Sequence, residues 1–269
     1  MGSEIVPEIK SETEIMYHVG LSKEMLSGAK YAVLPGDPGR VEKICQKLGH
    51  KYIALNFNRE YKSMLVYLNE EPVLVCSTGM GGPSVAICLE ELTSLGIKKF
   101  IRVGTTGAIQ ERIKMGDVII NNAAIRLDGT STHYAPLEYP AIADVHLTQA
   151  FMNVAHEQAI NFHVGISVSS DSFWPGQERY NSFTGYVLRK FQGSLQEWKN
   201  LGALNYEMET ATLFTVGQVF AVQTIAICLV VAKRDESESV LSKIHWSNSE
   251  NQMYIFLKSA LLYCLKNNI

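Results

Sequence analysis

The sequence predicts an α/β fold in a single domain. Strand-like apolar runs alternate with helix-like segments from end to end, a pattern that favours a sheet covered on both faces. No linker, internal repeat or low-complexity stretch divides the 269 residues. That length suits one large domain or two small ones.

The elements follow in order. "YAVLPGDPGR" is a short apolar run ending in a Pro-Gly turn. "KYIALNFN" and "SMLVYL" are strands with "NREYK" between them. "PVLVCSTGMGG" is an apolar run ending in glycines, and "PSVAICLEELTSLG" carries helical spacing until Gly96. "KFIRVGTTG", "DVIINNAAI", "HVGISVSSD" and "VQTIAICLVVA" are further strands. "LTQAFMNVAHEQA", "METATLFTVGQVF" and "NQMYIFLKSALLYCLK" are helices. Residues 1–14 read as a loose leader and residues 15–269 as the domain.

Composition removes several classes of function. A net charge of -3 offers no general basic field for nucleic acid. No apolar run reaches the roughly 18 residues needed to cross a bilayer, so no membrane partner is expected. "MGSEIVPEIKSETEIMYH" has acidic residues and no apolar core, unlike a signal peptide. The five cysteines are scattered and odd in number, which reads as free thiols in a reducing, cytoplasmic compartment. None has metal-ligand spacing.

The glycine turns and their arginines point to a ligand. In α/β sheets, ligands collect at the carboxyl ends of strands. Three apolar runs end in "PGDPGR", "STGMGGPS" and "RVGTTG". Glycines there bare backbone N–H groups that can cradle an anion. Arg40 and Arg102 lie beside two of these turns, and the arginine fork suits phosphate oxygens. Arg102 stands between Ile101 and Val103 in an apolar run, where an unpartnered charge is costly. It therefore meets either an anionic ligand or a core carboxylate, and Arg40 either meets the same ligand or begins a surface helix. None of the turns is a GxGxxG or Walker motif.

Two further stretches carry polar chemistry. In "SSDSFWPGQERYNSFTG", Gln177 and Arg179 together supply donors and an acceptor, which match an edge bearing C=O, N–H and C=O such as uracil. Phe173 or Trp174 can stack on such a ring. The plain alternative is a loop with a solvent-facing arginine. In "NYEMET", Glu207 and Glu209 sit at the start of a helix. They complement its dipole or accept hydrogen bonds from sugar hydroxyls.

The segments "HVGL", "LPGDPGRVEKI", "NREY", "VCSTGMGGPS", "RVGTTGAIQ", "RLDGTSTHYAPLEYPA", "SSDSFWPGQERY" and "NYEMETATL" span nearly the whole chain. Through them the chain resembles the nucleoside phosphorylase-I family, and "GQER" resembles its bacterial uridine-cleaving branch. The resemblance implies a mixed sheet bent into a distorted barrel with helices outside. It implies phosphorolysis of uridine, and of deoxyuridine, to uracil and the sugar 1-phosphate in pyrimidine salvage. A purine nucleoside phosphorylase is the alternative. Gly36, Arg40, Arg102 and Thr105 match phosphate ligands, with Arg59 donated by a neighbouring subunit. His18, also donated across the dimer, matches a contact to the ribose 5′-hydroxyl, and Met208 and Glu209 match ribose contacts. Phe173, Gln177 and Arg179 match base contacts, and Arg234 stands in the place of a further base-side arginine. Glu60, Met80 and Ser84 match positions that hold a monovalent cation, such as K+, at the dimer interface of some relatives. The implied assembly is a hexamer of three dimers. No cofactor is implied beyond phosphate as co-substrate, and no residue is assigned as nucleophile or general acid.

The chain also departs from the family pattern. Lys233 replaces a neutral side chain before Arg234, and Asp235 follows, near where purine-specific relatives carry an acidic residue. Trp174 stands where tyrosine is usual. The N-terminus is about ten residues longer than in relatives.

Overall fold

The computed structural model describes residues 11–235 and 238–269. Its strands are β1 (Tyr31–Pro35), β2 (Tyr52–Asn58), β3 (Tyr61–Leu68), β4 (Glu71–Cys76), β5 (Lys99–Ala108), β6 (Val118–Leu127), β7 (Ala141–Ile142), β8 (Phe162–Ser170), β9 (Asn205–Glu207) and β10 (Gln223–Lys233). Its helices are α1 (Val41–Leu48), α2 (Gly82–Ser94), α3 (Val145–Glu157), α4 (Ser194–Asn200), α5 (Thr210–Val219) and α6 (Lys243–Asn267).

The sheet closes on itself through β5. That strand pairs in parallel with β10, β10 pairs antiparallel with β6, β6 and β8 run parallel, and so do β8 and β9. β9 then returns antiparallel to β5 and completes the barrel. The strands β1, β4, β3 and β2 extend from the other edge of β5. This edge changes partner part-way along. The β1 pairing ends at Pro35 opposite Val103, and the β9 pairing begins at Gly107 opposite Tyr206. Between them Gly104, Thr105 and Thr106 have no strand neighbour on that edge. A sheet opens where its order switches, and ligands bind there.

Two apolar clusters fill the two faces. On one, α1, α3 and α6 bring Ile44, Phe151, Phe256 and Leu257 against Val33, Ile101 and Ile227. On the other, α2 and α5 bring Leu89, Leu92, Leu213 and Phe214 against Ala32, Leu74 and Phe100. Helix α5 is buried from Thr210 to Gly217, as expected of a helix without charged residues. Its Thr212 hydroxyl donates to Asp128 at 2.7 Å.

Most expected elements are present, with corrections. "GTTG" is not a turn: β5 continues through it to Ala108. A side chain at Gly104 would stand 3.0 Å from Cys228 Sγ, so glycine there permits close approach rather than a bend. "NYEMET" does not open a helix at Met208: Asn205–Glu207 is β9, and α5 begins at Thr210. Helix α4 and the short β7 are additional elements, and α1 is the helix expected at Arg40 on one reading of that residue. Helix α6 begins at Lys243, earlier than its apolar pattern indicates. Of the leader expected over residues 1–14, residues 1–10 lie outside the described residues, while the Glu12 carbonyl accepts from Glu24 N–H at 3.1 Å.

The face covered by α6 is the larger of the two clusters, and Phe256 lies at its centre against Phe151, ring centroids 5.8 Å apart. Phe256→Ala should cost about 3–5 kcal/mol of unfolding free energy, read as a lower urea midpoint at unchanged slope. A loss below about 1 kcal/mol would mean that the α6 face is not cooperatively packed.

Candidate active site

A cavity of about 780 Å³ opens where β5 changes partners. Gly36, Arg40, Arg102, Thr105, Met208, Glu209, Phe173, Gln177 and Arg179 all line it. With Glu60, Met80 and Glu207, which line it too, the structure thus brings together twelve of the residues singled out from the sequence.

Arg40 lies at the N-terminus of α1, just past the Asp37-capped turn that follows β1. It is 8% exposed. Its Nε donates to Tyr254 Oη at 2.9 Å and lies 2.9 Å from Glu250 Oε1, and Nη1 donates to the Val103 carbonyl at 3.1 Å. Glu250 and Tyr254 stand four apart on α6, so one face of that helix grips Arg40. The helix-start reading of Arg40 therefore holds, but the residue is buried against the cavity rather than on the surface. Its Nη2 has no hydrogen-bond partner among the described residues.

Arg102, in the middle of β5, is 5% exposed. Its Nη2 donates to Glu209 Oε2, and Glu207 Oε2 lies 4.0 Å from its Nε. The core-carboxylate reading of Arg102 is therefore realised. It is also incomplete, because Nε and Nη1 remain buried without a hydrogen-bond partner among the described residues. Burial pulls the guanidinium pKa down, but Glu209 and Glu207 outweigh it and hold it above its ordinary value. Burial raises the Glu209 carboxyl above its ordinary value despite Arg102.

The second oxygen of Glu209 accepts from Gly81 N–H at 2.8 Å. Gly81 has φ +87, a conformation that costs glycine little and other residues much. Glu207 Oε2 accepts the N–H groups of Glu209 at 2.8 Å and Thr210 at 2.7 Å. It thereby caps α5 and fixes the backbone that carries Glu209.

Elsewhere on the wall, the Arg179 guanidinium lies 4.4 Å from the Phe173 ring centroid. Burial and the neighbouring Arg234 hold its pKa below the ordinary value, although Glu238 opposes them. Arg179 Nη1 donates to Glu238 Oε2, and Arg234 Nε donates to Glu238 Oε1 at 2.8 Å. Arg234 is not on the cavity wall. It donates to the Gln177 carbonyl at 2.9 Å and to Gln177 Oε1 at 3.3 Å, holding Gln177 from behind.

Other expected residues stand apart. Arg59 is exposed, with φ +54, and lies 5.7 Å from the Tyr17 ring centroid. His18 is off the cavity wall, and its Nδ1 lies 2.7 Å from Glu91 Oε1. Glu60 and Met80 line the cavity, whereas Ser84 does not and donates to the Thr78 carbonyl. Trp174 is exposed and leaves the cavity wall to Phe173. Lys233 does not enter the cavity: its Nζ donates to the carbonyls of Gln110 at 2.7 Å and Ile113 at 2.8 Å. Cys228, beside Gly104, is held as a neutral thiol, its pKa pushed up to about 12 by burial. That state does not suit a nucleophile.

Sequence reasoning did not find Glu238, Glu250, Tyr254 or Tyr206. The four-residue spacing of Glu250 and Tyr254 was legible on α6, but their destination was not. Glu238 lies in a charged loop without periodicity.

The description "Phosphorylase superfamily" matches residues 30–261 of the chain. The uridine phosphorylase of Haemophilus influenzae is 48% identical over 223 residues, covering 83% of this chain and 88% of that protein. The uridine phosphorylase of Escherichia coli is 48% identical over the same shares. The guanosine phosphorylase of Halorubrum lacusprofundi is 35% identical over 199 residues, 74% of this chain and 76% of that protein. All the cavity-lining residues fall within the matched range, and the family resemblance drawn from the motifs is borne out: the chain belongs to the phosphorylase superfamily.

Proposed function

We infer that the chain cleaves uridine by phosphorolysis, giving uracil and ribose 1-phosphate. The observation that carries this reading is the mixed lining of one cavity. Arg40 and Arg102 line it, and among the described residues Arg40 Nη2 and Arg102 Nε and Nη1 are buried without a hydrogen-bond partner. Glu209 lines the same cavity, as does the amide–guanidinium pair Gln177 and Arg179 with the Phe173 ring beside it. The greater likeness to uridine phosphorylases than to the guanosine enzyme supports uridine over a purine nucleoside.

The chemistry follows from that set of residues. Phosphate held by Arg40, Arg102, Thr105 and the Gly36 backbone places an oxygen against C1′, on the face opposite the base. The C1′–N1 bond breaks with its electron pair going to uracil, the phosphate oxygen bonds C1′, and the uracil anion takes a proton from solvent. Fixed positioning makes the step effectively intramolecular. Gln177 and Arg179 stabilise the charge on the departing base, and Met208 and Glu209 hold the ribose. 2′-Deoxyuridine is a second substrate on this reading.

The phosphate end argues for a shared site. Within one chain, Arg40 and Arg102 face the carboxyl groups of Glu207, Glu209 and Glu250. Two cations against three carboxyl groups do not favour an anion. A third guanidinium is needed, and Arg59 is exposed and off its own cavity. We therefore place Arg59 and His18 in the site of a second copy, within dimers that assemble as a hexamer. Glu60 and Ser84 both lie close to Gly79, and their oxygens suit a hard monovalent cation such as K+. With all five cysteines free and buried, we place the protein in the cytoplasm.

Phosphorus NMR on uridine with inorganic phosphate should show ribose 1-phosphate accumulating, with no uracil released when phosphate is left out. Cytidine presents an amine and no N3 proton, so two contacts at about 1–3 kcal/mol each are lost and turnover should fall at least about thirtyfold. Inosine should be similarly poor. Comparable turnover of inosine or cytidine, or uridine cleavage without phosphate, would sink the assignment.

Sharing of the site is tested by mixing. Arg59→Ala and Arg179→Ala proteins should each be nearly inactive, and their re-assembled mixture should regain activity, because hybrid dimers hold one complete site. Hybrids verified by native mass spectrometry that stay inactive would mean that each site is built within one chain.

A further inference from the structure

Glu178 sits between Gln177 and Arg179, the two polar side chains at the base end of the cavity, yet it does not line that cavity. Its carboxylate turns the other way. One oxygen accepts Gly193 N–H and the other accepts Leu195 N–H at 2.7 Å, both at the start of α4. The Tyr180 hydroxyl donates to the same group at 3.2 Å. Glu178 also has φ +54, a left-handed conformation that non-glycine residues hold only when their surroundings enforce it.

Helix α4 has seven residues, too short to persist without anchorage. It is tied at both ends: by Glu178 at its start and by Gln110 Nε2, which donates to the carbonyls of Lys199 at 3.0 Å and Ala203 at 2.8 Å. Its Leu195 and Trp198 pack in the cluster containing Tyr206. Tyr206 lines the cavity, and the Arg234 guanidinium lies 5.3 Å from its ring centroid. Arg234 in turn holds Gln177. The loop from Trp174 to Arg179 is thus gripped from two sides, by Arg234 at Gln177 and by α4 at Glu178.

We propose that Glu178 is a positioning residue for base recognition: its carboxylate fastens the loop bearing Gln177 and Arg179 to the first turn of α4. This rests on reading Gln177 and Arg179 as the residues that meet the base. Gln177 and Arg179 flank Glu178 directly, so a carboxylate anchored outside the cavity sets the angle of both side chains inside it. The phosphate end, built on β1, β5 and α6, shares none of these contacts. The inference therefore separates the two substrates.

The test is steady-state kinetics with each substrate varied in turn. Glu178→Gly removes the carboxylate while glycine accepts φ +54 without strain. It should raise the KM for uridine about tenfold and leave the KM for phosphate within about twofold. Glu178→Gln, which keeps one acceptor oxygen, should fall between that variant and the unaltered protein. Gln177→Ala is the control for the underlying reading and should raise the uridine KM more than either. If Gln177→Ala raises it and both Glu178 variants leave it unchanged, the positioning role is wrong while the base reading stands. If both KM values rise together in the Glu178 variants, α4 serves general stability and the proposal also falls. If Gln177→Ala itself leaves the uridine KM unaltered, the base reading fails and takes the proposal with it.

Discussion

The buried pair of Arg102 and Glu209 is the constraint around which the rest of the site is arranged. An arginine in the middle of a buried strand carries a desolvation cost that one carboxylate offsets only with good geometry. Glu209 supplies that partner, and its other oxygen is held by Gly81 N–H at 2.8 Å. One contact thereby ties three segments together: β5, the turn before α2, and the start of α5. Removing either member would strand a buried charge, which is why the pair fixes the site as well as the fold. The remaining Arg102 nitrogens, without a hydrogen-bond partner among the described residues, are the donors that the proposed phosphate would use.

The same logic of half-used arginines recurs along the cavity. Arg40 is held by Glu250, Tyr254 and the Val103 carbonyl, and one nitrogen is left over. Arg179 and Arg234 share Glu238, with Phe173 and Tyr206 rings close to their guanidinium groups. In each case carboxyl groups and backbone oxygens fix the guanidinium before any ligand arrives. Preorganised donors lose little entropy on binding and need no reorganisation during the reaction. The supports differ: α6 steadies Arg40, while Glu238 and, through Glu178, α4 steady the segment bearing Gln177 and Arg179.

Much of this was legible in the sequence. Alternating apolar runs gave the α/β class, because buried strands and covering helices impose different periods. The ordered motifs located the cavity residues, and Gln177, Arg179, Glu209 and Arg102 do meet around one space. What could not be read was where long-range partners land. Nothing local tells that Glu250 and Tyr254 reach Arg40 from α6, or that Glu238 bridges two arginines. The "GTTG" stretch looked like a turn because glycine usually breaks strands. In the fold its glycines let Cys228 and the Arg234 stem come close to β5. Lys233, noted as a departure beside Arg234, lies off the cavity with its Nζ on the carbonyls of Gln110 and Ile113, beyond a register shift in β10 that no local pattern announces.

The central claim is that Arg102 is divided between Glu209 and a bound phosphate. Calorimetric titration of inorganic phosphate into the ligand-free protein and into Arg102→Lys tests it most directly. Lysine keeps the charge beside Glu209 but loses the planar fork. The account predicts at least about a tenfold rise in Kd, the worth of one charged hydrogen bond. A folded Arg102→Lys protein that binds phosphate as tightly as the unaltered chain would contradict it.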